Sequence, residues 1–349
     1  MDKQIFLVDL VNDFEGHFFM MEALSKIENS YMIDTKERKM LIKNQPIKGL
    51  LERRKIHKRV FREIREKQKG NSVVHFLTGD KFYFLPIIKS LNKNNLKVLV
   101  NIHRFPKNAM LQKLLKNYSK KIDSFVVFSD YTADEFRSIG INNVKVLAYP
   151  TFYDYSIIPS KKVIKEKYNI DEKYTVISAL GGTRYEKGLD ILLESFKYIS
   201  PEIKARILVN IAGREQDIKK DQILELAKKY DINLRLELRN LSDEEFCENV
   251  VVSDIMAMPY RKTFNSSASG PMTEAMSQGV PCLYPRYGSL EKYGEKYKVG
   301  SMFEIEDPQS IAKEIEKMIS GEFEFDESIA KNLSVDAFIE SHKKLYRNI

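Results

Sequence analysis

Two stretches of the chain hold residues whose types and spacing suit the handling of an anion. In 178-SALGGTRYEKGLDILLESF-196 an apolar run stops at Gly181-Gly182, Arg184 and Lys187 follow, and a helical pattern then begins. In a strand–loop–helix unit, glycines let the backbone come close to a ligand, and the first N–H groups of the helix face it unpaired. Arg184 and Lys187 add the full positive charges that a departing diphosphate needs. Neither G-x-x-x-x-G-K-[ST] nor G-x-G-x-x-G occurs, so this is not a P-loop or a dinucleotide fingerprint. Taken alone, the stretch equally fits a turn that only needs flexible residues.

The second stretch is 264-FNSSASGPMTEAMSQGVPCLYP-285. Five small residues, Ser266 to Gly270, precede a short helix that carries Glu274. Small residues build no core, but they let an extended group lie against amides at a helix N-terminus. Glu274, one turn into that helix, is placed to accept two hydroxyls such as a ribose diol. A Ser-rich N-cap with Glu274 supporting the first turn accounts for the same residues. Two such loops in one domain, both expected at the carboxyl ends of strands, would converge on one nucleoside diphosphate.

The elements that must position these loops alternate along the chain. Apolar runs at 4–9, 73–77, 96–102, 124–129 and 144–149 predict strands, with helices over 16–27, 50–67 and 107–121. After an aromatic and proline-bearing crossing at 150–171 the alternation restarts. Strands are expected at 174–180, 206–213, 233–238, 254–259 and 280–285, and helices at 186–199, 217–230, 242–250, 271–278 and 308–319. The pattern predicts an α/β protein of two doubly wound, Rossmann-like domains, 1–160 and 161–334. The amphipathic stretch 335–349 is expected to pack back on the first. Ligands of such sheets sit outside the carboxyl ends of the strands.

A length of 349 residues suits two ordinary cores, and 43% hydrophobic with 30% charged residues reads as soluble and globular. Cys247 and Cys282 form no close pair, which points away from a disulfide framework or a zinc site. The N-terminus reads as a strand, and no apolar run reaches the roughly 18 residues of a membrane span, so a cytoplasmic protein is expected. The net charge of +8 is uneven: residues 1–160 hold 28 Lys and Arg against 17 Asp and Glu, and the remainder is nearly neutral. The excess gathers in 36–70, where Ile56, Val60 and Ile64 form a stripe ringed by cations. Such a helix either packs on the sheet with its charges in water or touches an anionic membrane surface. No nucleic-acid motif or aromatic platform accompanies it, and nucleic acid is not an expected partner.

The combination GG-x-R-x-EKG-x-D-x-LLE-x-F, then SDI-x-x-x-PYR, then SSASG-x-x-x-EAMSQG-x-P, resembles the family-4 retaining glycosyltransferases of the GT-B fold. The likeness is strongest over about 174–320; 96–108, 121–136 and 144–152 resemble the acceptor-side domain more loosely. It implies two Rossmann-like domains facing across a cleft. It also implies transfer of a sugar from a nucleotide-diphosphate sugar, UDP- or GDP-linked, with retained configuration and without a metal or other cofactor. The acceptor implied is a glycan, lipid-linked or other hydroxyl, as in polysaccharide biosynthesis at the inner face of a membrane. Lys187 matches the lysine that binds the donor diphosphate, and Glu274 the second glutamate of an E-x7-E pair, which holds the ribose. Ser269 and Gly270 fall where amides meet phosphates, and His103 where a histidine touches the donor sugar. Gly16 and His17 fall in a glycine-bearing loop, and Arg239 near the base. Two positions depart from the pattern. Ser266 stands where the first glutamate belongs, and Gly182 stands where an arginine belongs, with Arg184 as its shifted substitute. The loss of that glutamate raises the alternative of a nucleotide-sugar-binding partner subunit without turnover. Of the other histidines, His75 reads as a core residue and His57 and His342 as surface residues.

Overall fold

Apolar runs rich in Val, Ile and Phe can only be buried on both faces if helices cover both sides of the sheet they form. The computed structural model is built that way. It describes residues 3–10, 17–33, 46–80, 82, 84–91, 95–264 and 268–349, with backbone alone for 17, 18, 46–53 and 90. The chain divides into two compact units: residues 1–148 together with Val335–Ile349, and Tyr149–Ser334. The division falls ahead of the 160/161 boundary placed from the sequence.

The first unit holds a six-stranded parallel sheet. Its strands are β1 (Gln4–Val8), β2 (Ser30–Ile33), β3 (Ser72–Phe76), β4 (Leu96–Asn101), β5 (Ser124–Val127) and β6 (Val144–Val146), in the order β2-β1-β3-β4-β5-β6. The winding turns outward from β1 to β2 and then returns to the other side of β1 with β3, so the topological switch point lies between β1 and β3. Phe6, Phe76, Val98, Phe125 and Phe136 are fully buried in its core. Val60 and Ile64, from the helix Pro46–Lys67, join that core. The stripe of this helix therefore packs inward, each side chain contributing about 1.5–3 kcal/mol of burial. Arg54, Lys55, Lys58, Arg62, Arg65 and Lys67 are exposed on it.

The C-terminal helix Val335–Arg347 belongs to this unit. His342 is fully buried there, not at the surface as its charged neighbours suggested. Phe338, His342, Leu345 and Tyr346 follow the i, i+4, i+7, i+8 spacing of one helical face, and that periodicity outweighs local charge. His75 is fully buried beside it, with ring centroids 5.6 Å apart. The Tyr346 hydroxyl and His75 Nδ1 are 2.7 Å apart, and His75 Nε2 lies 2.6 Å from Asn101 Oδ1. A neutral His75 protonated at Nε2 satisfies both contacts, since Asn101 Oδ1 can only accept.

The second unit holds seven strands: β7 (Thr175–Leu180), β8 (Ile207–Gly213), β9 (Leu234–Leu238), β10 (Ile255–Ala257), β11 (Cys282–Pro285), β12 (Val299–Phe303) and β13 (Glu324–Phe325). Their order is β13-β12-β11-β10-β7-β8-β9, parallel except for β13. The chain winds from β7 to β9 and then crosses to β10 on the other side of β7, which puts this switch point between β7 and β10. Asp254 pins the two strands at their start: its carboxylate accepts the Val176 N–H at 2.7 Å and the Lys161 ammonium at 2.6 Å. Cys247 and Cys282 are both buried thiols. Among the described residues, no helix is long and apolar enough to cross a membrane.

Candidate functional site

The loop after β7 sits at the switch point, where parallel sheets leave a crevice for ligands. Gly181 continues the strand at φ +96°, a conformation that L side chains rarely adopt. A Cβ there would lie 2.6 Å from the Lys187 ammonium, so the side chain of Lys187 reaches over a position that only glycine leaves open. Thr183 ties the loop to its neighbour: its hydroxyl donates to the Ile218 carbonyl at 2.8 Å and accepts the Gln216 N–H at 2.8 Å. Gly182 lies against the Gln216 amide, and a Cβ would overlap Oε1 at 1.8 Å. Tyr185–Lys187 then makes one 3-10 turn, and Gly188, at φ +62°, hands the chain to the helix Leu189–Ser195.

Arg261 clamps that turn from β10's side. Its backbone N–H donates to the Glu186 carbonyl at 2.9 Å, and its guanidinium donates to the Tyr185 carbonyl at 2.7 Å and to both carboxylate oxygens of Asp190 at 3.0 and 2.6 Å. Its plane also stacks 3.9 Å from the Tyr185 ring centre. Lys187 is thereby aimed back to the end of β7, where its ammonium donates to the Leu180 carbonyl at 3.0 Å. Burial, with Arg184 beside it, lowers the ammonium from its usual value to about 8. The group is still mostly charged at neutral pH and only partly hydrated. Arg184 is half-buried and pairs with Glu186 at 3.1 Å.

Tyr260 joins this loop to the second one. The Lys187 ammonium lies 5.7 Å from the centre of its ring, within reach of a cation–π contact, and its hydroxyl shares a 3.3 Å hydrogen bond with Ser269 Oγ. Ser269 is the cap residue of the helix Gly270–Ser277, but its hydroxyl makes no capping bond. Pro271 in the first turn has no N–H, so that turn presents fewer amides. Leu180, Gly181, Thr183, Lys187, Pro259 and Tyr260 are among the residues lining the cavity at this point. The site is thus a desolvated cation, a second cation and a helix N-terminus drawn together around one tyrosine.

Glu274 is buried further along the same helix. Its Oε2 accepts the Tyr155 hydroxyl at 3.1 Å and the Thr151 hydroxyl. Burial raises its carboxyl to about 7, against the downward pull of these two hydroxyls and the Phe152 N–H. Arg239, just beyond β9, is exposed and engaged elsewhere. It bonds both oxygens of Glu245 at 2.8 and 2.6 Å and also pairs with Glu237. Glu245 in turn completes a capping box with Ser242 at the start of the helix Asp243–Val251.

In the first unit, His103 follows β4. Its Nε2–H donates to the Leu77 carbonyl at 3.0 Å and its ring tilts against Phe128 at 5.1 Å. Burial, more than its hydrogen bond, sets the imidazole, lowering it to about 4, so it is neutral at physiological pH. Asp80 fixes the turn by accepting the His103 N–H at 2.8 Å. His17 opens the helix His17–Ser25, while Gly16 and Ser266 lie outside the described residues. Among the described residues, no three of His, Cys, Asp and Glu group to hold a metal ion. Tyr260, Arg261, Thr183, Asp190, Thr151 and Tyr155 were not singled out from the sequence. The P-Y-R and K-G-L-D motifs carried short local hints of the Arg261–Asp190 clamp, whereas the partners of Glu274, more than a hundred residues away, left no local trace.

The fold is a pair of parallel, doubly wound halves, and the loop after β7 lies at the switch point of the second. The chain belongs to the glycosyl transferases group 1, whose family description matches residues 160–334. N-acetyl-alpha-D-glucosaminyl L-malate synthase of Bacillus anthracis is 26% identical over 162 residues, which is 46% of this chain and 40% of that relative's length. The chain thus spans well under half of that relative. The solved structure of Anabaena HepE in complex with UDP shares the fold at TM-score 0.73 and 14% identity, covering 99% of this chain and 100% of that one. Sucrose-phosphate synthase from Thermosynechococcus elongatus does so at TM-score 0.70 and 12% identity, covering 99% of both chains. These likenesses place both Rossmann-like halves in the GT-B fold.

Proposed function

We propose that the protein is a retaining glycosyltransferase that moves a sugar from a nucleotide-diphosphate sugar to a hydroxyl acceptor, a glycan or a lipid-linked one. The observation that carries this reading is the convergence of Lys187, Arg184 and the N-terminus of Gly270–Ser277 around Tyr260 at a switch point. Charge develops on the leaving diphosphate as the bond to the anomeric carbon breaks. Preorganised donors in a partly dry site stabilise that charge far better than water does. Lys187 and Arg184 supply full charges there, and the amides around Gly182 and Gly270 supply partial ones. Glu274 holds the ribose. His103 is assigned to positioning the donor sugar, and Arg239 to the neighbourhood of the base. The acceptor hydroxyl bonds to the anomeric carbon on the face the diphosphate leaves, and the leaving phosphate takes its proton, so no protein base is assigned. UDP complexes of Anabaena HepE favour a UDP-linked donor. The exposed cations of Pro46–Lys67 fit an anionic membrane surface bearing the acceptor.

Ser266 in place of the first family glutamate favours a second reading, a binding partner without turnover. Release of nucleoside diphosphate from UDP-, GDP- and ADP-sugars, with and without Lys187→Ala, separates the two. Release that falls at least about a hundredfold in the variant, the scale of a lost charge-stabilising donor, supports the enzyme. Tight binding with no release in the wild type supports the partner. The anomer of the product, read by NMR, tests retention.

A further inference from the structure

Residues 149–157 bring the chain into the second unit, and two of them, Thr151 and Tyr155, direct their hydroxyls at Glu274. We infer that Thr151 and Tyr155 are positioning residues of the nucleoside subsite, holding the Glu274 carboxylate in the rotamer and the ionised form that receive a ribose diol. The inference rests on reading Lys187 and Glu274 as parts of one nucleoside-diphosphate site.

Both hydroxyls converge on one oxygen, Oε2, Thr151 from irregular chain and Tyr155 from the 3-10 turn that follows it. Each is itself fixed. The Thr151 N–H donates to the Leu333 carbonyl at 2.8 Å, tying the entering segment to the residue just before the chain leaves the unit. Tyr155 opens a 3-10 turn whose cap, Asp154, accepts the Ser156 N–H at 2.9 Å. A carboxylate held from one side by two rigid hydroxyls cannot swing, and its other oxygen keeps one direction. The same bonds oppose burial. A dry site favours the neutral acid, and hydrogen bonds donated to the carboxylate favour the charged form. Protonation turns one of the acceptor sites into a donor, so the charged form is the better acceptor for both hydroxyls of a diol.

The titratable groups about Glu274 are neutral or distant. Tyr153 and Tyr155 come from the entering segment and Cys247 from the helix Asp243–Val251, all three raised well above their usual values. Asp243, behind them, adds a like charge that acts on Tyr153 and Cys247. Lys331, on the short helix Ile329–Asn332 that packs near Gly270–Ser277, is exposed to solvent. The two hydroxyls, with the lesser help of the Phe152 N–H, are therefore the agents available to keep the carboxylate ionised.

Titrating UDP, GDP and ADP into the full chain by calorimetry between pH 6 and 9 tests this. Thr151→Val and Tyr155→Phe keep side-chain volume and should each weaken binding at pH 7 by roughly tenfold, the scale of one hydrogen bond to a charged group. Each should also move the acid limb of the affinity profile, at about 7 in the wild type, to higher pH. Thr151→Ser, which keeps the hydroxyl, should restore both. A merely structural role would lower the melting temperature without moving the limb. Unchanged or tighter binding in Thr151→Val and Tyr155→Phe, with Lys187→Ala losing binding, overturns the positioning role and leaves the site reading intact. Binding indifferent to Lys187→Ala, or absent in the wild type for all three nucleotides, removes the site reading and the inference with it.

Discussion

Lys187 and Glu274 are shifted in opposite directions, both toward neutral pH, and the main cause in each case is loss of water. The Lys187 ammonium is pulled down to about 8, and the Glu274 carboxyl is pushed up to about 7. In the proposed site both act in their charged forms, the lysine toward the phosphates and the glutamate toward the ribose. As pH rises through 7 the carboxylate forms and affinity grows. As pH rises through 8 the ammonium is lost and affinity falls. UDP affinity should therefore peak between about pH 7 and 8. In calorimetry across that range, Glu274→Gln should flatten the acid limb, and Lys187→Ala the alkaline one. A profile that is flat in the wild type removes both residues from the binding step.

At the scale of elements, the loop and not the individual side chain carries the precision. Gly188 is left-handed at φ +62°, and a Cβ on it would sit 1.9 Å from the Pro259 carbonyl oxygen. That close approach brings the strand end after β10, with Tyr260 and Arg261, onto the turn that aims Lys187. Gly188→Ala should cost about 1–2 kcal/mol for the backbone conformation alone, and more once Pro259 is pushed away. Melting temperature should drop, and UDP affinity at 25 °C should fall even where the protein remains folded. Retained affinity would mean that the turn tolerates a shift. This loop was largely legible in the sequence, because glycines and cations between an apolar run and a helical period leave a short-range signature. The strands were legible for the same reason: all ten expected runs form strands. What escaped notice had weak local signals. Strand β2, Ser30–Ile33, is an edge strand with Tyr31 and Met32 exposed, so no buried run or clean alternation marks it. The helix Gly288–Tyr297 starts from Gly288 at φ +65° with no side-chain cap. The expected single helix over 186–199 resolves into a 3-10 turn, the helix Leu189–Ser195 and a second 3-10 turn. Periodicity alone does not distinguish these, since side chains at i and i+3 share a face in each.

At the scale of the whole chain, both ends meet in the first unit. The Lys3 ammonium donates to the carbonyls of Tyr346 at 3.1 Å and Ile349 at 2.7 Å, and the terminal helix lays His342 and Tyr346 onto His75. Burial lowers His75 to about 3 and His342 to about 4, and His342 further disfavours charge on His75. His342 donates from Nδ1 to the Phe338 carbonyl at 2.9 Å, while its buried Nε2 has no hydrogen-bond partner among the described residues. Neither ring accepts a proton in the folded state until well below the 6.5 of an unfolded histidine. Their neutral burial is fully stable above 6.5. As pH falls from there towards about 4 the unfolded chain takes up two protons that the folded chain refuses, and stability drains by about 1.4 kcal/mol per pH unit for each. His342→Phe keeps a ring against Phe338 and removes one of the two titrations. In urea unfolding of the first unit, followed at pH 7.5, 6 and 5, the wild type should lose stability steeply below pH 6.5, and His342→Phe should lose it at about half that slope. Equal slopes in the two proteins would show that His342 reaches water in the native state, and that the terminal helix is not held by a neutral buried pair.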